Sequence, residues 1–129
     1  MPKRVPKKRV RRAVVFPRHT GFVGTTAVYS APIDVRQFSE GIFVAWRGTG
    51  IGNTPASVQF TVQQSTDLDV WVDAGTISPS AGSESVLEQG LTYPWMRVKA
   101  VVSGADPGVC GWVVVELVMR EESQEGEAA

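Results

Sequence analysis

Two stretches of this chain alternate apolar and polar residues with a period of two, and that period restricts the fold more than anything else in the sequence. From Trp95 to Val102, Met96, Val98, Ala100 and Val102 alternate with Trp95, Arg97, Lys99 and Val101. From Trp112 to Arg120, Val113, Val115, Leu117 and Met119 share one face, with Glu116 and Arg120 on the other. Side chains point to opposite faces only in an extended strand, so each stretch predicts a strand with one buried face. Val58 to Gln63 repeats the pattern, with Val58, Phe60 and Val62 opposed to Gln59, Thr61 and Gln63. Shorter strand-like runs lie at Ala13 to Phe16, Thr25 to Ala31, Ile42 to Trp46, Val70 to Val72 and Ser85 to Leu87. Turn residues separate them, including Gly48 to Asn53, the Ser-Pro-Ser-Ala-Gly-Ser stretch after Ile77 and Ser103 to Gly108. No segment has a 3.6-residue period. The prediction is an all-β fold, an antiparallel β-sandwich of jelly-roll-like form, built from roughly eight short strands.

A chain of 129 residues has room for one hydrophobic core. Its formal charge sums to zero, but the charges are segregated. Lys3, Arg4, Lys7, Lys8, Arg9, Arg11, Arg12 and Arg18 are eight of the 13 basic residues, and no acid precedes Asp34. The far end carries Glu121, Glu122, Glu125 and Glu127. The expected organisation is a basic, disordered or extended N-terminal arm over 1–18, a sandwich domain over 19–120 and an acidic flexible tail over 121–129. No apolar run approaches the roughly 20 residues that span a bilayer, and Phe16-Pro17-Arg18-His19 interrupts any secretory apolar region. A protein made in a cytoplasm, with no membrane partner, is expected.

The residues leave little room for catalysis. Cys110 and His19 are the only cysteine and histidine, so no internal disulfide can form, and nothing around either resembles an activated nucleophile pair. Cys110, in Gly108-Val109-Cys110-Gly111, reads as a small hydrophobe beside a buried strand. Asp67, Asp69 and Asp73 would share one face of a continuous strand, but the glycine and terminal glutamate of a calcium loop are missing at the required spacing. A polar turn running into a solvent-facing strand explains them. Gly48-Thr49-Gly50-Ile51-Gly52 lacks the Lys-Ser/Thr and the helix that a phosphate loop requires. The expectation is a non-enzymatic protein with no metal and no cofactor.

Binding remains. Trp46 and Trp71 fall in apolar runs and read as core, whereas Trp95 and Trp112 fall opposite the apolar stripes and read as interface aromatics. The basic arm suits three situations: an acidic protein surface, including a neighbouring copy; nucleic acid, through counterion release; or plain solubilisation. With no aromatic before Phe16, base stacking by the arm is not indicated.

The body of the chain also resembles a known group. Pro32 to Phe38 leading into Gly41 to Trp46, the strand Val58 to Gln63 running to Gln64-Ser65-Thr66-Asp67, and Val70-Trp71-Val72-Asp73 are similar to small sandwich proteins of tailed-bacteriophage structural gene clusters. Tyr93 to Lys99 resembles their aromatic-x-Arg-Val strand, and Val113 to Val118 their closing strand. Such proteins serve as decoration or cement subunits, head fibres, or neck and tail components. The resemblance implies a virion structural protein, most simply a capsid decoration subunit. Its partners would be other copies of itself, in a homo-oligomer, and a major capsid or other virion protein. The arm departs from the group's pattern, which keeps a nucleic-acid-binding coat or packaging protein as the main alternative. A carbohydrate-binding sandwich using Trp95 or Trp112 is a third reading.

Overall fold

In a computed structural model, residues 10–51, 57–104 and 107–120 are described. They form nine strands: β1 Val10–Val23, β2 Val28–Tyr29, β3 Ile33–Asp34, β4 Phe38–Arg47, β5 Ser57–Ser65, β6 Val72–Ile77, β7 Glu84–Gly90, β8 Trp95–Ser103 and β9 Gly108–Met119. There is no helix among the described residues. β1 pairs with β9, β2 and β3 with β8, β4 with β7, and β5 with β6. These nested pairings describe one long antiparallel ribbon. The ribbon wraps so that β4 also pairs with β9 and β5 with β8. The result is two antiparallel sheets, ordered β1-β9-β4-β7 and β2-β8-β5-β6, with β3 also on β8. That nested order is the jelly roll anticipated from the alternation.

Inward-facing residues follow the period. Val58, Phe60 and Val62 on β5, Met96, Val98, Ala100 and Val102 on β8, and Val113, Val115 and Leu117 on β9 are all buried. β4 contributes Phe43 and Ala45, and an aromatic cluster joins the sheets where Phe16 and Phe22 of β1 meet Phe60 of β5. Ser30 is buried because its backbone amide donates to the Val98 carbonyl and its hydroxyl accepts from the Val98 amide.

Several local expectations are corrected. β1 begins at Val10 and continues past Pro17 to Val23, well beyond the apolar run at Ala13 to Phe16. Pro17 is tolerated because β1 is an edge strand and its register shifts there, so no ladder amide is lost. β6 starts at Val72 and reaches Ile77, because residues 66–70 form a bent turn. Asp67, Asp69 and Asp73 therefore do not share a strand face. Cys110 is exposed, since Val109 and Gly111 beside it take the buried positions.

Candidate functional site

The outer face of the four-stranded sheet is where apolar residues face away from the core. Strand registers align them in cross-strand rows. Val14 lies opposite Val114, Val114 opposite Val44, and Val44 opposite Val86, a four-valine row from one sheet edge to the other. At the common strand spacing that row is roughly 15 Å long. Its ends are open, Val14 being 62% and Val86 63% exposed. One row along, Trp46 lies opposite Trp112, with ring centroids 6.5 Å apart and planes within 12°. The Arg18 guanidinium sits 5.3 Å from the Trp112 ring centre and flanks the pair. On the other side of the valines run Arg12, Glu116, Ile42 and Glu88. These apolar rows, rimmed by charge, make the face a candidate interaction surface.

The sequence forces this arrangement. Ile42-Phe43-Val44-Ala45-Trp46 and Val113-Val114-Val115 are apolar without interruption, so whichever set faces inward, the other faces out. Phe43 and Ala45 are inside, which puts Ile42, Val44 and Trp46 outside. Trp46 is thus not a core residue, as the apolar run suggested, and neither is Trp71, which half-buries against the outer face of the other sheet. The uninterrupted run is the signal that could have found Trp46.

The sheet's two edges differ in charge. β1 carries Arg11, Arg12 and Arg18, whereas β7 carries Glu84 and Glu88. Lys3, Arg4, Lys7, Lys8 and Arg9 of the basic segment lie outside the described residues. Arg11 and Arg12 line an open cleft of about 640 Å³, together with Ile33, Asp34, Arg36 and Phe38. Arg36 forms a two-pronged ion pair with Asp34, at 2.6 Å from Nη2. Hydrogen bonding from Arg36 holds the Asp34 carboxyl down at about 2, against an ordinary value of 3.8.

The outer face of the second sheet is built around Arg97. Its guanidinium lies 4.1 Å from the Tyr29 ring centre and 4.2 Å from that of Trp71. Arg97 Nε also donates to Gln63 Oε1 at 2.8 Å, and Gln63 Nε2 donates to Asp73. Arg97 therefore covers one face each of Tyr29 and Trp71. Asp67 accepts from the backbone amides of Val70 and Asp69, which lower its pKa and fix the turn before β6. Trp95 is half-buried on this same sheet, with the Arg36 guanidinium 5.6 Å from its ring centre. The two aromatics singled out from the sequence, Trp95 and Trp112, thus lie on opposite sheets and do not form one surface.

No protein-family model and no curated protein matches this chain. Solved structures do. The PBSX exported protein XepA superimposes with a TM-score of 0.68 at 12% identity, over 88% of this chain and 38% of that one. A chain of the Bacillus endospore appendages, disulfide-linked pili, gives 0.53 at 14% identity, over 94% of this chain and 97% of that one. The VP2 subviral particle of infectious bursal disease virus gives 0.55 at 12% identity, over 88% of this chain and 33% of that one. The chain thus spans little more than a third of XepA and a third of VP2, but nearly all of the appendage chain. At these identities the likeness is one of fold.

Proposed function

We propose that this protein is a structural subunit of a virus- or phage-like particle, seated on the shell as a decoration or cement subunit. The observation that carries the reading is the outer face of the β1-β9-β4-β7 sheet. Its valine row and tryptophan pair offer apolar area to a neighbour, and its charged rim would fix orientation. The same fold in VP2 of a subviral particle and in a pilus chain supports an assembly role, as does the resemblance to tailed-phage sandwich proteins. The sandwich acts as a rigid block, and the basic segment adds an electrostatic contact to an acidic neighbouring surface. Many weak contacts over a particle then add to firm attachment.

The test is to band particles by density from the cells that produce the protein and count its copies by quantitative mass spectrometry. Many copies per shell, retained through a second gradient, are expected. Absence from every particle fraction would overturn the reading.

A second reading has its own observation: Arg11 and Arg12 line the open cleft together with the ion-paired Arg36 and Asp34. On that reading the protein is a coat or packaging protein that binds nucleic acid. Affinity for duplex DNA would then fall linearly with the logarithm of salt concentration. A flat salt response would leave the first reading alone.

A further inference from the structure

We infer that copies of this protein join edge to edge, β1 of one pairing antiparallel with β7 of the next, so that the four-stranded sheet continues from subunit to subunit. The two strands are the outer members of the sheet, and neither pairs with a further strand among the described residues. An unpaired strand edge is a template for another chain. The second sheet offers less, since its β2 edge is two residues long.

The register follows from the rows within one subunit. Val10, Arg11, Arg12, Ala13 and Val14 lead through β9 and β4 to Gly90, Gln89, Glu88, Leu87 and Val86, respectively. Continuing each row straight across the seam sets Arg12 beside Glu88 of the next copy and Val14 beside its Val86. The basic edge thus meets the acidic one, and the most open ends of the valine row meet each other. Ala13 and Leu87, which pack at the rim of the core, come together on the inner face. A bulge between Val14 and Phe16 ends the regular stretch of β1 and limits the seam to these five rows.

Backbone geometry allows the same register. Along a row of an antiparallel sheet, hydrogen-bonded and non-hydrogen-bonded pairs alternate. With four strands the pairs Val14–Val114 and Val44–Val86 are of one kind, and Val114–Val44 is of the other. The seam pair Val86–Val14 then takes the kind of Val114–Val44, so pointing directions and side-chain faces both match. An even strand number also makes the outer strands run oppositely, as antiparallel pairing across the seam requires. Each copy uses a different edge for each neighbour. The contact is heterologous and builds a ring or a filament instead of stopping at a dimer.

This deepens the assembly role proposed above and names a second copy as the partner. The test is disulfide trapping in the full chain with Cys110→Ser, comparing the pair Val14→Cys with Val86→Cys against the out-of-register pair Val14→Cys with Glu84→Cys. Mild oxidation should give the first a ladder of dimers, trimers and longer species, several-fold more abundant than from the second. Val14→Cys alone should stay monomeric. Equal yields in both registers, dimers from the single variant, or no species above monomer would each overturn the seam. Should the cysteine pair fail to fold, Arg12→Glu and Glu88→Arg serve instead: each alone should lower the weight-average mass in sedimentation, and the two combined in one chain should restore it. Lack of restoration overturns the seam as well. A ladder from a protein absent from particles would keep the seam and remove the particle role. Monomers from a protein abundant in particles would do the reverse.

Discussion

Truncating Phe22 to alanine should be among the most damaging single changes in this domain. Phe22 is 1% exposed and lies between Phe16, with ring centroids 5.2 Å apart at 85°, and Phe60, at 5.7 Å and 69°. Both contacts have the edge-to-face geometry that aromatic quadrupoles favour. Removing a buried phenylalanine side chain costs about 3–5 kcal/mol, through lost transfer energy and the cavity left behind. Of that, each lost ring pair accounts for roughly 0.5–1.5 kcal/mol. A domain of this size is stable by about 5–15 kcal/mol, so the change removes a large share of that stability. Phe22 is also one of two aromatic rings by which β1, otherwise the most basic strand of the sheet, is tied to the second sheet. Urea unfolding followed by tryptophan fluorescence should show a lower midpoint with an unchanged slope. Val23→Ala, at a position 81% exposed, is the control and should stay within about 0.5 kcal/mol of wild type. A loss below about 1 kcal/mol for Phe22→Ala, at unchanged slope, would refute the claim that this cluster pins β1 to the core.

Other consequences follow from single contacts. A Cβ at Gly111 would stand 2.5 Å from the Trp46 carbonyl oxygen, whereas one at Gly21 would meet nothing within 4 Å. Gly111→Ala should therefore cost about 1–3 kcal/mol in thermal or urea unfolding, while Gly21→Ala is neutral or stabilising by about 0.5–1 kcal/mol. Arg97→Lys should lose the planar fit between Tyr29 and Trp71, lowering stability by about 1–2 kcal/mol and changing Trp71 emission. Carbon NMR titration should find Asp34 with a midpoint near 2, returning toward the ordinary value in Arg36→Ala. Because folding depresses this pKa, the pair's contribution is present above the unfolded value of 3.8 and is lost as pH falls through about 2.

The strands with one polar face were legible from the sequence, because only burial on one side produces their alternation. Met96, Val98, Ala100 and Val102 sit inside as that alternation requires. The strands apolar on both faces were legible as strands but not as surfaces. In Ile42 to Trp46 nothing local says which set turns inward, and that choice decides whether Trp46 is core or interface. It is settled by β4 lying between β9 and β7, a long-range pairing. The full length of β1 is hidden in the sequence for a related reason. Arg11 and Arg12 look like an arm, yet at this sheet edge both side chains stay exposed while pairing with Leu117 and Glu116 orders their backbone. The valine row could not be seen at all from one strand at a time, since its four members come from four separate strands.

The most direct test of the assembly account is the copy number of a face variant in purified particles. Val44 lies at the middle of the outer row, flanked by Val114 and Val86. Val44→Asp sets a charge there without touching the core face formed by Phe43 and Ala45. The account predicts a folded variant, with a cooperative melting transition, that is largely missing from particles in which the wild-type chain is abundant. Incorporation at the wild-type copy number would show that this face is not what holds the subunit in place.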